Sequence, residues 1–271
     1  MLQLDYINSA FSKKAKVYDS YGKSNFIIKH SRKIVRDTVL RNIAPHGNIL
    51  ELNGGTGSDA LHFVKKGYKV HLIDVSKGMI EKSKSKITSE EIEHKLTIER
   101  KSFEQLQDLP KNNYDYIFSN FGGLNCTPNV KKVIDQFPLV LKDEGYITLV
   151  IMPPICPWEL INIFWSPKMA LRRLPSLFGL PIKANVSGIK FWTYYYPVNK
   201  VKKLFDKRYE FISLESLSLF SPPSFLDYFP VKYPKLFKKL LEFDNRLTKH
   251  FPFNHFGDFY ILTLRYIRKR E

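Results

Sequence analysis

The sequence predicts an α/β fold in which a mostly parallel sheet carries helices on both faces. Short β-rich runs alternate with helical stretches between residues 48 and 152, which is the pattern of successive βαβ units. A glycine-rich turn, NGGTG at 53–57, separates the first apolar run from the next helical stretch. Helix openings are marked by capping residues and prolines rather than by hydrophobicity alone. The 271 residues suffice for one elaborated domain, and neither an internal repeat nor a low-complexity linker divides them.

Residues 1–45, including AFSKKAKVYDSYGKSNFIIKHSRKIVRDTVLRNI, read as a helical cap that folds over the strand ends, where open α/β sheets bind ligands. Residues 46–152 form the core, with strands NILEL (48–52), KVHLID (69–74), LTIER (96–100), YDYIFSN (114–120) and YITLVIM (146–152). Ser76 is placed to cap KGMIEKSKSKI, and Pro128 to open VKKVIDQFPLVLK, a helix expected to end before Asp143, Glu144 and Gly145. Residues 153–200 are apolar and proline-punctuated, helical in pieces, with IKFWTYYYP as a strand. Residues 201–271 add YEFISLESLSLF (209–220), a helical segment around KLFKKLLEF and a last strand, DFYILTLRYI. In that segment Leu236, Phe237, Leu240, Leu241 and Leu247 have the spacing of ordinary core packing, and a basic amphipathic reading of 235–247 stays open beside it.

The net charge of +17 is unevenly spread: residues 1–150 carry 23 basic and 17 acidic side chains, and residues 151–271 carry 20 and 9. The second part also holds 25 of the 39 Phe, Tyr and Trp residues. Basic charge attracts phosphate, and aromatic rings stack on bases or settle at a bilayer interface. A solvated lysine-rich surface over an aromatic core is the plainer reading. Cys126 and Cys156 lie in unrelated contexts, so neither a zinc site nor a disulfide framework is expected. With no signal-peptide pattern and no apolar run of bilayer length, a soluble cytoplasmic protein is expected, with peripheral membrane contact left open.

Gly55, Gly57 and Ala60 satisfy G-x-G-x-x-A, and Asp74 ends the next strand 23 residues after Glu51. Glycines after a strand let backbone approach a ligand, and the following helix offers unpaired N–H groups. No Lys-Ser/Thr pair follows them, which excludes a phosphate-binding P-loop. Glu51 then selects between the remaining ligands. A dinucleotide pyrophosphate is doubly anionic and is repelled by an acid two residues ahead of its glycine loop. S-adenosylmethionine carries an ammonium and a sulfonium beside its adenosine, and suits that acid. Asp74 would accept from ribose hydroxyls; a role merely as a cap for the helix beginning near Ser76 is the lesser alternative.

At this point ELNGGTGSDA, LIDVSKGMI, YDYIFSNFGGLN and KDEGYITLVIMPP resemble the successive motifs of class I S-adenosylmethionine-dependent methyltransferases, particularly the branch similar to ubiquinone/menaquinone-biosynthesis enzymes. The resemblance covers roughly residues 10–152 and implies a Rossmann-like seven-stranded sheet whose terminal strands form the reversed pair of that family. It also implies S-adenosylmethionine as cofactor and S-adenosylhomocysteine as product. Glu51, Gly55 and Gly57 match the glycine motif, and Asp74 the ribose-binding acid. Ser76 and Met79 match positions flanking the ribose and adenine, and Ser102 and Phe103 the segment beside the adenine edge. Asn120 and Phe121 end the fourth strand beside the methionine part. Tyr18 matches an aromatic that relatives fold over the cofactor. Asn53 departs from the pattern, standing where the first motif glycine is expected; asparagine tolerates left-handed backbone better than other side chains.

Methyl transfer from a sulfonium is an in-line displacement that demands alignment and exclusion of water more than a dedicated constellation. Where the acceptor needs a general base, His30, His255, Tyr194, Tyr195 and Tyr196 are the candidates, each with a structural reading beside it. The N/D-P-P-Y/F signature of adenine methylation and an acidic metal cluster are absent from the sequence. MPPICPWELINIFW and KFWTYYYP, inserted after the fifth strand, are expected to form an aromatic-rich lid over an apolar acceptor pocket. The expected acceptor is a small, partly hydrophobic metabolite methylated on O, N or C. RNA or protein methylation on the basic C-terminal surface is the alternative, and an NAD-type nucleotide-binding protein a further one.

Overall fold

A computed structural model describes residues 3–87, 90–164 and 166–268. Two long helices open the chain, α1 (Gln3–Ser24) and α2 (Phe26–Asn42). Asn25 breaks between them, its side chain accepting the Ile28 N–H at 3.0 Å to cap α2. The core follows as β1 (Asn48–Leu52), α3 (Ser58–Val64), β2 (Lys69–Asp74), α4 (Lys77–Lys84), α5 (Glu90–Lys95), β3 (Leu96–Arg100) and β4 (Tyr114–Ser119). Next come α6 (Val130–Ile134), α7 (Phe137–Val140), β5 (Leu141–Ile151), α8 (Pro157–Ile161), α9 (Pro167–Ala170), β6 (Ile182–Val186) and β7 (Ile189–Thr193). The chain closes with α10 (Val198–Lys202), β8 (Tyr209–Leu217), α11 (Phe229–Lys232), α12 (Pro234–Leu247) and β9 (Phe259–Tyr266).

Seven strands form one sheet in the order β3-β2-β1-β4-β5-β9-β8. The first five run parallel, and β9 lies antiparallel between β5 and β8. This is the Rossmann-like sheet with a reversed terminal pair. Strand alternation sorts the apolar side chains into two cores: Ile49 faces the layer of α2 and α3, while Leu50 faces that of α6 and α7. Both faces being covered explains why β1, β4 and β5 read as near-continuous apolar runs.

Three expectations are modified. The helix predicted over VKKVIDQFPLVLK breaks into α6 and α7, and Leu141 already pairs with Tyr114 in the sheet. Pro138 lacks the N–H that a continuous helix requires, and Asn129 rather than Pro128 supplies the cap, accepting from Lys132 N at 3.1 Å. IKFWTYYYP is a strand only to Thr193; it pairs with β6 outside the main sheet, through a turn with positive φ at Ser187 and Gly188. The aromatic-rich insert is not a free lid. Arg173 bridges Glu159 and Asp258 at 2.7 Å each, which ties α8 to the start of β9.

The cap is latched across α4. Asn8 Oδ1 accepts from Lys77 N at 2.9 Å, Ser12 Oγ accepts from Gly78 N at 3.0 Å, and Ser12 and Ser76 hydroxyls lie 3.0 Å apart. A Cβ at Gly78 would sit 2.7 Å from Ser12 Cα and 2.9 Å from its carbonyl, backbone atoms that cannot swing aside. Gly78→Ala is therefore expected to lower stability by about 1–3 kcal/mol in thermal or urea unfolding. Gly22→Ala, with open space around the position, is expected to raise it by about 0.5–1 kcal/mol through helix propensity.

Candidate functional site

The strand order reverses between β1 and β4, and the crevice outside the carboxyl ends at such a switch point is where open α/β sheets take ligands. A cleft of about 940 Å³, mouth included, lies there. Its floor is the turn after β1, one side is β2 and the loop after β3, and the other is the loop after β4. The roof is α1, which contributes Leu4, Ile7 and Phe11.

Glu51 forms the floor. The residue is 2% exposed, and among the described residues its Oε2 has no hydrogen-bond partner. Burial and the neighbouring Asp59 push its carboxyl well above the usual carboxylate range, against the pull of Arg32 and Arg36. Asp59 is the opposite case. Arg32 Nη1 and Arg36 Nε each donate to it at 2.7 Å, and Asn120 Nδ2 at 3.0 Å. Although burial opposes ionisation, these groups hold its carboxyl below the usual value. Two buried acids side by side are thus unequal: one is fully partnered and charged, the other lacks a donor for one oxygen.

Asp74 closes the β2 side. Its Oδ2 accepts from Gly55 N at 2.9 Å and its Oδ1 from Ser76 N at 2.8 Å. The capping role and exposure to the cleft therefore coexist, since each carboxylate oxygen retains a further lone pair. Burial raises this carboxyl to about 6. Gly55, at φ +58°, brings its backbone to the cleft wall, and Met79, Ser102 and Phe103 line the same side. Ser76 and Gly57 stand one layer back: Ser76 is fully buried as the cap of α4, and Gly57 takes a left-handed conformation before α3.

Tyr18 lines the cleft beneath α2, with its hydroxyl beside the Arg32 guanidinium; burial raises its pKa, and Arg32 opposes the shift. The same guanidinium lies 5.0 Å from the centroid of the Phe121 ring. Asn53 adopts φ +47°, so the departure from glycine keeps the left-handed turn. Its side chain ties the loops together, donating to Asn120 O at 2.9 Å and accepting from Ser119 Oγ at 2.6 Å.

Five candidate bases stand outside the cleft. His30 stacks on Phe26 and borders a separate small cavity with Glu215 and Asp244. Tyr194 N donates to Asn125 O at 2.8 Å, Tyr195 lies beneath the Arg173 guanidinium, and Tyr196 donates its hydroxyl to Thr127 O. His255 contacts Asn254 and Asn199 on an apolar groove elsewhere. Nor do residues 153–200 reach the cleft wall among the described residues. Ile189 and Phe191 instead pack behind Ile7 and Phe11, so the insert buttresses α1, which does the covering. The sequence reading omitted Arg32, Arg36 and Asp59. Their signal was available: Arg32 and Arg36 are four apart on one helix face, and Asp59 lies inside the glycine motif.

Comparison with known proteins agrees with this geometry. Residues 49–145 match the model of the methyltransferase domain family. No curated protein matches the chain in sequence. Among solved structures, an S-adenosylmethionine-dependent methyltransferase from Methanosarcina mazei superposes with a TM-score of 0.59 at 14% identity, covering 86% of this chain and 98% of its own. The 1,6-didemethyltoxoflavin-N1-methyltransferase of Burkholderia thailandensis, with its substrate and S-adenosylhomocysteine bound, gives 0.56 at 9% identity over 97% and 88%. The [4+2]-cyclase SpnF gives 0.61 at 13% identity over 96% and 95%. The fold is shared by all three, and the last is a reminder that a fold does not fix a reaction.

Asn53 and Gly123 fit as a pair. A Cβ at Gly123 would fall 2.0 Å from Asn53 Cγ and 2.3 Å from its Nδ2. Gly123→Ala is expected to cost about 1–3 kcal/mol by overpacking, and Asn53→Gly in the same chain to recover part of that loss. Additive destabilisation in the double variant, read from unfolding curves, would contradict the pairing.

Proposed function

We propose that this chain is a class I S-adenosylmethionine-dependent methyltransferase and that it methylates an O, N or C nucleophile of a small, partly hydrophobic metabolite. The observation that carries the reading is the buried Glu51 carboxylate, whose Oε2 lacks a partner among the described residues at the floor of the cleft. A buried acid in that condition is costly unless a donor or cation meets it. The ammonium of S-adenosylmethionine is such a group, whereas a pyrophosphate offers Glu51 neither a donor nor a cation; Asp59 is already neutralised by Arg32 and Arg36.

The other residues fit the same ligand. Asp74 has lone pairs left for ribose hydroxyls, the Gly55 backbone permits close approach, and Met79, Ser102 and Phe103 offer an apolar slot with one hydroxyl for adenine. S-adenosylmethionine supplies an electrophilic methyl group on sulfur. This chain's part is to orient and to keep water out: Asn53 fixes the loop after β1 against that after β4, and Tyr18 and α1 cover the cleft. Leu4, Ile7 and Phe11 give the roof its apolar character, which favours a partly hydrophobic acceptor. The Burkholderia enzyme, similar in fold and solved with 1,6-didemethyltoxoflavin bound, accords with a small-molecule acceptor.

Calorimetry with S-adenosylhomocysteine tests the reading. The signs follow from Asp74, whose folded pKa of about 6 lies above its ordinary value. Hydroxyl donors need the carboxylate, so the contribution of Asp74 to affinity should rise as pH increases through about 6, and the raised Glu51 carboxyl makes affinity depend on pH in the same direction. Near that pH, binding should release protons, seen as heats that vary with buffer ionisation enthalpy. For folding, the same raised pKa subtracts stability above about 6, and the loss is relieved as pH falls through it. Asp74→Ala should weaken binding by about 1–3 kcal/mol. Tight binding of NAD with none of S-adenosylhomocysteine would overturn the assignment. Transfer of labelled methyl into extracted small metabolites, rather than into RNA or protein, is the expected outcome for the acceptor class.

A further inference from the structure

The helical layer contributed by α11 and α12 is only half committed to the protein. Phe229 and Phe237 are buried with Ile27 in a small core of their own, packed against Leu240 and Leu241. The outer side of this layer remains apolar. Val231 is 85% exposed, Tyr228 53%, Leu236 47% and Phe243 40%. On α12 the side chains Leu236, Lys239, Phe243 and Arg246 recur at intervals of three and four, so they form one ridge in which apolar and basic groups alternate.

Charge is equally one-sided. Residues 225–250 hold six Lys and Arg against three acids. One of the three, Asp244, is buried and accepts from the backbone N–H groups of Phe220 and Ser221. Lys249 reaches back to Glu215, leaving Lys232, Lys235, Lys238, Lys239 and Arg246 exposed around the ridge.

We propose that the α11–α12 ridge is a docking surface for anionic phospholipid bilayers. Exposed aliphatic and aromatic groups enter the acyl boundary while the flanking lysines meet lipid phosphates, which is the geometry of an interfacial amphipathic helix. Aliphatic Val231 and Leu236 distinguish it from a nucleic-acid surface, where planar rings stack on bases. The ridge adjoins the cap over the cleft: Phe237 of α12 packs on Phe26 of α2, ring centroids 5.8 Å apart, and in the segment leading into α11 Ser224 O accepts from Tyr21 Oη and Asn25 Nδ2 at 2.9 and 2.7 Å. Docking therefore places the bilayer beside the corner between α1 and α2, the two helices that bring Tyr18 and Arg32 to the site.

Flotation of the full chain with vesicles tests this. Vesicles of phosphatidylcholine containing phosphatidylglycerol should carry the protein up at low salt, and pure phosphatidylcholine should not. Lys239→Glu with Arg246→Glu should reduce partitioning by more than about tenfold, since each basic side chain near an anionic surface contributes about fivefold. Val231→Ser with Leu236→Ser, which leaves charge unchanged, should also reduce it; all four positions are exposed, so unfolding curves should match the parent. Absence of flotation with anionic vesicles, or flotation unaffected by both double variants, would overturn the proposal. So would displacement from the vesicles by polyuridylate that the charge-reversed variant no longer binds, which would make the ridge an RNA surface.

Discussion

Two carboxylates buried side by side at the end of β1 set the terms for the rest of the molecule. Asp59 takes both available arginines and Asn120, and this leaves Glu51 with one oxygen unpartnered among the described residues. In a low-dielectric floor a carboxyl held toward its neutral form ionises when a cation meets it, so the arrangement favours an incoming ammonium. It also explains why α2 lies where it does. Arg32 and Arg36 are one turn apart on that helix, and the charge they neutralise sits in the first turn of α3. The cap is therefore anchored by the same acid that leaves the other one available.

The remaining parts follow from keeping that floor dry and shaped. Asn53 stitches the loop after β1 to the loop after β4, and Gly123 is small because the asparagine side chain occupies its flank. Above, α1 closes the cleft with an apolar face and is latched on α4 through Asn8 and Ser12. Behind it the β6–β7 hairpin supplies packing. An insert that looked like a lid thus acts as a brace, and the true cover comes from the start of the chain.

Much of the core was legible because each signal was local. Buried parallel strands read as apolar runs, the glycine turn as a close-approach loop, and Ser76 as a cap. The break at Pro138 was also local, yet the surrounding helical periodicity concealed it. What was not legible depended on distant partners. Leu4, Ile7 and Phe11 have the spacing of any core stripe, and only the folded chain shows that one edge of the stripe roofs a cleft. Tyr194, Tyr195 and Tyr196 look chemically apt, but the backbone N–H of the first meets Asn125, the ring of the second Arg173 and the hydroxyl of the third Thr127, all away from the cleft wall. The Asp59 clamp joins residues more than twenty positions apart, so its pairing required the fold even though its members were visible.

The central claim is that Glu51 recognises the amino group of the ligand. It is tested most directly by comparing S-adenosylhomocysteine with 5′-methylthioadenosine, a nucleoside thioether lacking the amino acid, in the parent chain and in Glu51→Gln. Calorimetric dissociation constants should strongly favour S-adenosylhomocysteine in the parent, and the preference should shrink by about tenfold or more in the variant, the scale of a charge-assisted hydrogen bond. An equal preference in both proteins would show that the buried carboxylate takes no part in reading the amino acid.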